Sequence, residues 1–290
     1  MLLRIVSILF PLFAITAVGF LVGRSARPDL SHANKLNMDV FVPALVFGAL
    51  ANKSFHITEF LPLLGATFVA VVGSGLLAWG VARLAGVAPR TFVPPMMFNN
   101  SGNLGLPLAV LAFGDAALAP AVVMFMVSNL MHFTFGVWLL DHQARLTRVW
   151  RVPSVLATLA GVMVGIAGIE IWEPAMLAIR MLGDISIPLM LFALGVRLSE
   201  SRIGAIGLGV LGAVARPLIG MALSALLIWL MPLPPQERAL LMVFGALPPA
   251  VLNYMFAERY QQEPGKVASM VLIGNVLAVV FLPLALAIAL

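Results

Sequence analysis

The sequence predicts an all-α polytopic membrane protein of about ten transmembrane helices. These form two inverted five-helix repeats, in which the fourth and ninth helices are broken and cross each other. Three observations lead there: the composition, a series of ten apolar runs, and a motif that recurs half a chain later. Of 290 residues, 62% are hydrophobic and 10% charged, and mean hydropathy is +1.07. A soluble domain carries roughly a quarter charged residues, and a bilayer-spanning helix needs about 20 mostly apolar ones. Ten such helices with short loops use nearly the whole chain, leaving no room for a soluble catalytic or nucleotide-binding domain. The chain has no cysteine, which excludes disulfides, thiolate chemistry and cysteine-ligated metals. The net charge of +5 and pI near 10.4 could suggest a nucleic-acid partner. The excess Lys and Arg residues are spread instead over loops between apolar runs, where they fix topology.

The expected spans are 5–23, 36–51, 60–82, 91–113 and 117–140 in the first half. The first follows Arg4, is too long for the apolar region of a signal peptide and lacks a small-x-small cleavage site. The second half offers 153–169, 174–196, 203–231, 236–257 and 266–289. The expected domains are a first repeat at 1–141, a short basic linker at 142–152 and a second repeat at 153–290. With ten spans, twelve basic residues share one side: Arg24, Arg27, Lys35, Arg83, Arg90, Arg145, Arg148, Arg151, Arg197, Arg202, Arg259 and Lys266. Only Arg4, Lys53, Arg180 and Arg238 fall on the other. The positive-inside tendency makes the richer side cytoplasmic and puts both termini on the opposite side.

The repetition supports the same count. Asp39 to Phe47 and Asp184 to Phe192 both read Asp-x-x-x-Pro-x-x-x-Phe, at an offset of 145 residues. Ser128-Asn129 and Gly274-Asn275 correspond at 146, and Asn103 to Pro107 faces Pro248 to Asn253 at nearly the same spacing. Five spans per half is odd, so the halves insert in opposite orientation, as in many secondary transporters.

Within span four, Pro94 and Pro95 precede Asn99-Asn-Ser-Gly-Asn-Leu-Gly-Leu-Pro107. Proline removes a backbone donor and clashes with the preceding turn, and glycine weakens helix further. Three asparagines and a serine are costly against lipid. Span nine has a second break at Gly245-Ala-Leu-Pro248-Pro249, followed by Asn253. Unwound backbone at membrane depth requires protein or a water-filled cavity around it. Each break leaves a half-helix N-terminus with unpaired N–H groups and partial positive charge. Two such ends facing one cavity make a carboxylate site, with asparagine amides as further donors. The alternative is a kinked helix pair whose asparagines are satisfied by packing partners. The substrate-binding candidates are Asn99, Asn100, Ser101, Asn103, Pro107, Pro248, Pro249 and Asn253.

Further polar residues are candidates for coupling or gating. Arg216 lies deep in span eight, where an ionisable residue is a functional hypothesis by default; the alternative is snorkelling to an interface. His132, one turn from Asn129, has an unperturbed pKa suited to proton coupling but reads first as a packing residue; Asn129 and its repeat counterpart Asn275 are candidates as well. Asp39 and Asp184 are expected to open their helices, where a carboxylate suits the N-terminal dipole, with gating as the alternative. Gly161-x-x-x-Gly165 and the glycines at 207, 209 and 212 permit close helix approach. No cofactor and no metal site is expected. The coupling ion stays open between Na+ and H+, since unwound carbonyls and asparagine oxygens can ligate hard cations. No phosphate loop with lysine, no nucleophile with a base and no metal-spaced histidines occur, which argues against ATP-driven transport and an intramembrane enzyme.

The Asn99 to Pro107 run resembles the fourth-span motif of the auxin efflux carrier family, which includes bacterial malonate and malate carriers. Leu247 to Tyr260, with Gln261 to Pro264, is similar to the ninth span and following loop of plant auxin exporters. Asp184 to Pro188 and Leu194-Gly195 match the seventh-span pattern of bacterial members. The resemblance implies a fold like the bile-acid sodium symporters and sodium/proton antiporters. In that fold helices 1, 2, 6 and 7 form a scaffold, and helices 3–5 and 8–10 form a transport domain that moves like an elevator. By position, Asn100 matches the crossover asparagine that contacts the substrate carboxylate, and Pro107 and Pro248 match the crossover prolines. The long cytoplasmic loop of plant exporters is missing and Asn253 replaces a frequent proline, which favours a bacterial-type carrier. The expected function is secondary transport of a small mono- or dicarboxylate or auxin-like acid across a bacterial inner membrane, with a channel or membrane sensor as the alternative. Expected partners are the lipid bilayer and the organic anion, no nucleic acid, with a homodimer open as the assembly.

Overall fold

The computed structural model describes residues 1–51, 57–143, 150–200 and 204–290. Lys53, Arg145, Arg148, Arg202 and the middle of the linker therefore lie outside the described residues. The chain is all-helical and polytopic, and no strand occurs among the described residues. Its helices are α1 (Leu2–Ser25), α2 (Ser31–Leu36), α3 (Val42–Leu50), α4 (Leu61–Leu84), α5 (Pro89–Met97), α6 (Leu106–Phe113), α7 (Leu118–Met131) and α8 (Val137–Leu140). The second half holds α9 (Pro153–Ala167), α10 (Glu173–Glu200), α11 (Ile206–Leu230), α12 (Pro235–Ala246), α13 (Val251–Arg259) and α14 (Pro264–Ala289). Among the described residues, six helical stretches are long and apolar enough to cross a bilayer: Leu2–Ser25, Ile57–Leu84, Asp115–Leu140, Glu173–Glu200, Ile206–Leu230 and Pro264–Ala289. Ser101–Phe113 and Pro153–Ala167 are shorter apolar helices. Large apolar side chains stand on the outer surface, Leu76 68% and Trp229 81% exposed, as suits a hydrocarbon solvent.

Local chemistry explains the boundaries. The second helical run begins at Ser31 rather than 36, because the Asp29 carboxylate accepts the Ser31 N–H at 2.9 Å and opens a helix too polar for hydropathy to find. Helix α9 stops at Ala167, two residues short of expectation, where Gly168 takes φ +62 and closes the helix in the left-handed region. Asp39 and Asp184 do not open helices, which corrects the capping reading. Asp39 lies well inside the run from Ser31, and Asp184 lies mid-way along α10. Each is the residue four before a proline, Pro43 or Pro188, whose missing N–H leaves the aspartate carbonyl without its helical donor. Around Asp39 the backbone widens into a π-turn, Asn37–Phe41; in α10 it does not.

Two sets of helices pack among themselves. Helix α1 lies along α10, and α3 packs on α9 and α10. Backbones touch where α1 meets α10: a Cβ added at Gly19 would sit 2.1 Å from the Phe192 carbonyl oxygen, and one at Gly195 1.9 Å from that of Thr16. The other set centres on α11, which packs on α14, α12 and α4. Between lipid-solvated helices, such close van der Waals approach does what the hydrophobic effect does in water.

Candidate functional site

The two interrupted segments meet inside the protein. Helix α5 ends at Met97, Phe98 is extended, and a π-turn, Ser101–Gly105, leads into α6. Helix α12 ends at Ala246, Leu247 and Ala250 are extended, and α13 follows. The Asn100 N–H donates to the Pro248 carbonyl at 2.8 Å, and the Ala250 N–H donates to the Phe98 carbonyl at 3.0 Å. Asn99 and Pro249 thus form an antiparallel bridge. Backbone groups freed by one break satisfy those freed by the other, which buried polar backbone requires.

Side chains lock this junction. The Asn100 amide donates to Oδ1 of Asn275 at 2.9 Å. Asn275 Nδ2 donates to the Pro249 and Val271 carbonyls at 3.1 and 2.8 Å. Asn253 Nδ2 donates to the Phe98 and Ala250 carbonyls, both at 3.0 Å, and Asn99 Nδ2 to the Phe244 carbonyl at 2.7 Å. An amide has two protons, so Asn253 and Asn275 have none left for a ligand. Pro248 and Pro249 act through their carbonyls, and the Pro249 ring lies where a Cβ on Gly274 would be 2.6 Å from its Cδ. Pro107 is buried behind the π-turn. Its ring would clash with the Asn103 carbonyl in a regular helix, which accounts for the widened turn.

Beside the junction lies a cavity of about 210 Å³. Its polar lining comes from Asn99, Asn100, Ser101 and Asn103, from Ser128, Asn129 and His132, and from Asn34, Asn37 and Arg197, with apolar residues such as Phe125, Met190 and Met255 between them. The first residues of both second half-helices, Ser101 to Asn103 and Val251 to Leu252, border it. Asn129 Nδ2 and Asn99 Oδ1 have no hydrogen-bond partner among the described residues. The Arg197 guanidinium donates to Met255 Sδ at 3.3 Å, with the Glu200 and Glu258 carboxylates in its electrostatic neighbourhood. Among the lining residues Arg197 is the one Lys or Arg, and no Asp or Glu is present. Three π-turns occur among the described residues, Asn37–Phe41, Ser101–Gly105 and His132–Gly136, and each lends residues to this wall. Such widened turns recur at functional sites because they re-aim side chains.

His132 is 4% exposed and stacks on Phe98 at 4.1 Å with 9° between planes, while Phe256 meets its edge at 5.1 Å. Its Nε2 has no partner of good geometry among the described residues. Gly136 makes room for this stack: a Cβ there would lie 2.7 Å from the Phe98 ring.

The other candidates lie apart from this cavity. Arg216 is 3% exposed, so it does not snorkel. Its guanidinium donates to the Gly245 carbonyl at 3.3 Å, placing a cation on the C-terminal end of α12 where the helix dipole is negative. Asp39 faces outward. Asp184 borders a second cavity of about 580 Å³ with Asp115, Arg180 and Glu237. The two cavities use opposite halves of the same helices: Ala44 to Ala49 of α3 and Arg180 to Asp184 of α10 in one, Val42 and Met190 to Arg197 in the other. Sequence reasoning missed Arg197, Asn34 and Asn37. Arg197 counted only as a loop charge, and the two asparagines sit where the helix start was misplaced.

The profile of a family described as membrane transport protein matches residues 4–149 and 143–286. An uncharacterized transporter of Methanocaldococcus jannaschii is 21% identical over 274 residues, covering 87% of this chain and 88% of that one. A candidate malonate transporter of Rhizobium meliloti is 26% identical over 217 residues, covering 68% and 67%.

Proposed function

Given that the chain belongs to the membrane transport protein family, the auxin efflux carriers, we propose that it is a secondary carrier of a small organic anion, with a dicarboxylate of malonate size as the leading substrate. The observation that carries this reading is the cavity at the junction: one guanidinium, two half-helix N-termini and an unengaged Asn129 amide, with no carboxylate in the wall. Partial positive charge at helix ends and a guanidinium fork both suit carboxylates. The Asn129 amide and Arg197 are the direct contacts in this reading. Asn100, Asn253 and Asn275 hold the geometry, and Asn99 serves both.

The same reading takes the chain as ten spans in two inverted repeats, the broken spans being α5 with α6 and α12 with α13. Its support is the matched position of the two breaks and the exchange of partners between halves, α1 with α10 and α3 with α9. Helices α1, α3, α9 and α10 would be the scaffold, and the set around α11 the moving body. Two cavities along one seam, built from opposite halves of α3 and α10, suit alternating access. The sides then follow from charge, with Arg24, Arg83, Arg197 and Arg259 facing the cytoplasm of a bacterial inner membrane. Purified protein in proteoliposomes should show counterflow of labelled malonate. Flux in currents above carrier turnover would replace this reading with a channel, and binding without flux with a sensor.

A further inference from the structure

A third, much smaller chamber lies behind the junction. It measures about 30 Å³ and is walled by Thr67, Ser74, Asn99, Ser128, Arg216 and Ser224, with glycine and apolar neighbours. No Asp or Glu lines it. Arg216 is 3% exposed, spends one N–H on the Gly245 carbonyl, and leaves Nε with no partner among the described residues. A buried guanidinium costs several kcal/mol of lost hydration unless paired. The end of a half-helix supplies only about half a negative charge. A positive charge therefore remains beside a small space bordered by side-chain hydroxyls and an amide among apolar neighbours.

We propose that this chamber is a binding site for a small monovalent anion of halide size. A water needs about 10–15 Å³ of such space, so the chamber admits one small ion and excludes a carboxylate substrate. The hydroxyl and amide dipoles of Ser74, Ser128 and Asn99 can turn toward the ion, and Arg216 supplies the charge. Asn99 and Ser128 also border the larger cavity. A bound halide thus presses on the residues that shape the substrate wall without meeting the substrate. This inference does not rest on the carrier reading.

The test uses the full chain in detergent. Thermal unfolding is measured in sodium chloride, sodium bromide and sodium gluconate at equal ionic strength. Chloride and bromide should raise the midpoint saturably over gluconate, and chloride-35 NMR lines should broaden with protein. Arg216→Gln should abolish both signals. Since that variant removes a cap from α12, Ser74→Val, which fills the chamber without touching the charge, is the second arm and should also abolish them. Equal midpoints in chloride and gluconate would overturn the proposal, as would a halide effect that persists in Ser74→Val, which would mark a general salt effect or water in the chamber.

Discussion

The side-chain amide of Asn100 donates to Oδ1 of Asn275 across 2.9 Å, and both residues are buried. The bond joins the first broken segment to α14, and the Asn275 amide continues it to the Pro249 carbonyl of the second. Replacing Asn275 with alanine leaves the Asn100 amide and the Pro249 carbonyl unpaired. The expected cost is about 1–3 kcal/mol, read as a lowered unfolding midpoint in detergent. Because the two residues share one bond, Asn100→Ala combined with Asn275→Ala should cost less than the sum of the single changes.

Asn129 and Asn253 should behave as opposites. Asn129→Ala removes a donor with no partner among the described residues, so stability should hold while anion affinity falls about two- to tenfold. Asn253→Ala breaks two bonds to the junction backbone and should lower the unfolding midpoint. Ligand-induced thermal shift alongside apo stability separates the two effects.

Arg197→Gln should weaken malonate binding by about 1.5–3 kcal/mol, roughly ten- to a hundredfold, as expected for a charge-assisted bond. Arg197→Lys should recover only part, since an ammonium cannot match a carboxylate with two parallel bonds. Equal affinity in all three proteins, measured by isotope exchange or calorimetry, would remove Arg197 from the site.

Gly136→Ala should destabilise by about 1–3 kcal/mol through overpacking, because the new Cβ meets the Phe98 ring at 2.7 Å and the His132 ring at 3.0 Å. Gly207→Ala meets nothing within 4 Å and should be neutral. Unfolding midpoints of the two variants check the pair.

Glu263, in the loop before α14, carries a pH dependence. Its carboxylate is held below the ordinary value by the Lys266 ammonium and then by the Thr91 hydroxyl, which donates to it at 2.6 Å. A folded pKa below the unfolded one gives stability that is present above the unfolded value of about 4.5 and is lost as pH falls through the folded value. Wild type should therefore lose its advantage over Glu263→Gln on titration below pH 4.5. The effect should be small, because the pair is exposed.

The two breaks were legible because clustered asparagine, glycine and proline act locally: Asn99 to Pro107 and Pro248-Pro249 mark them, although Pro94 and Pro95 sit inside α5. The roles of the asparagines were not. Asn129 and Asn275 stand 146 residues apart at matching positions of the sequence pattern, yet Asn275 has both amide protons engaged and Asn129 Nδ2 has no partner among the described residues. Which carbonyls stand opposite depends on tertiary placement, and spacing carries no record of it. Arg197 was hidden for a different reason, since a basic residue near a span end looks the same whether it fixes topology or turns into a cavity. The depth of Arg216 in its span left burial and snorkelling both open, and its partner, a helix end left by a break 29 residues on, was not legible.

The backbone bridge between Asn99 and Pro249 also constrains how the chain is made. The donor at Asn100 and the acceptor at Phe98 find their partners only in the second half of the polypeptide. At roughly 5–20 residues per second, synthesis leaves the first break without its mate for on the order of ten seconds. During that interval its peptide groups need shelter from lipid in the translocon or under a chaperone. A truncated first half should consequently be held there or degraded, and should not settle in the membrane as an independent unit.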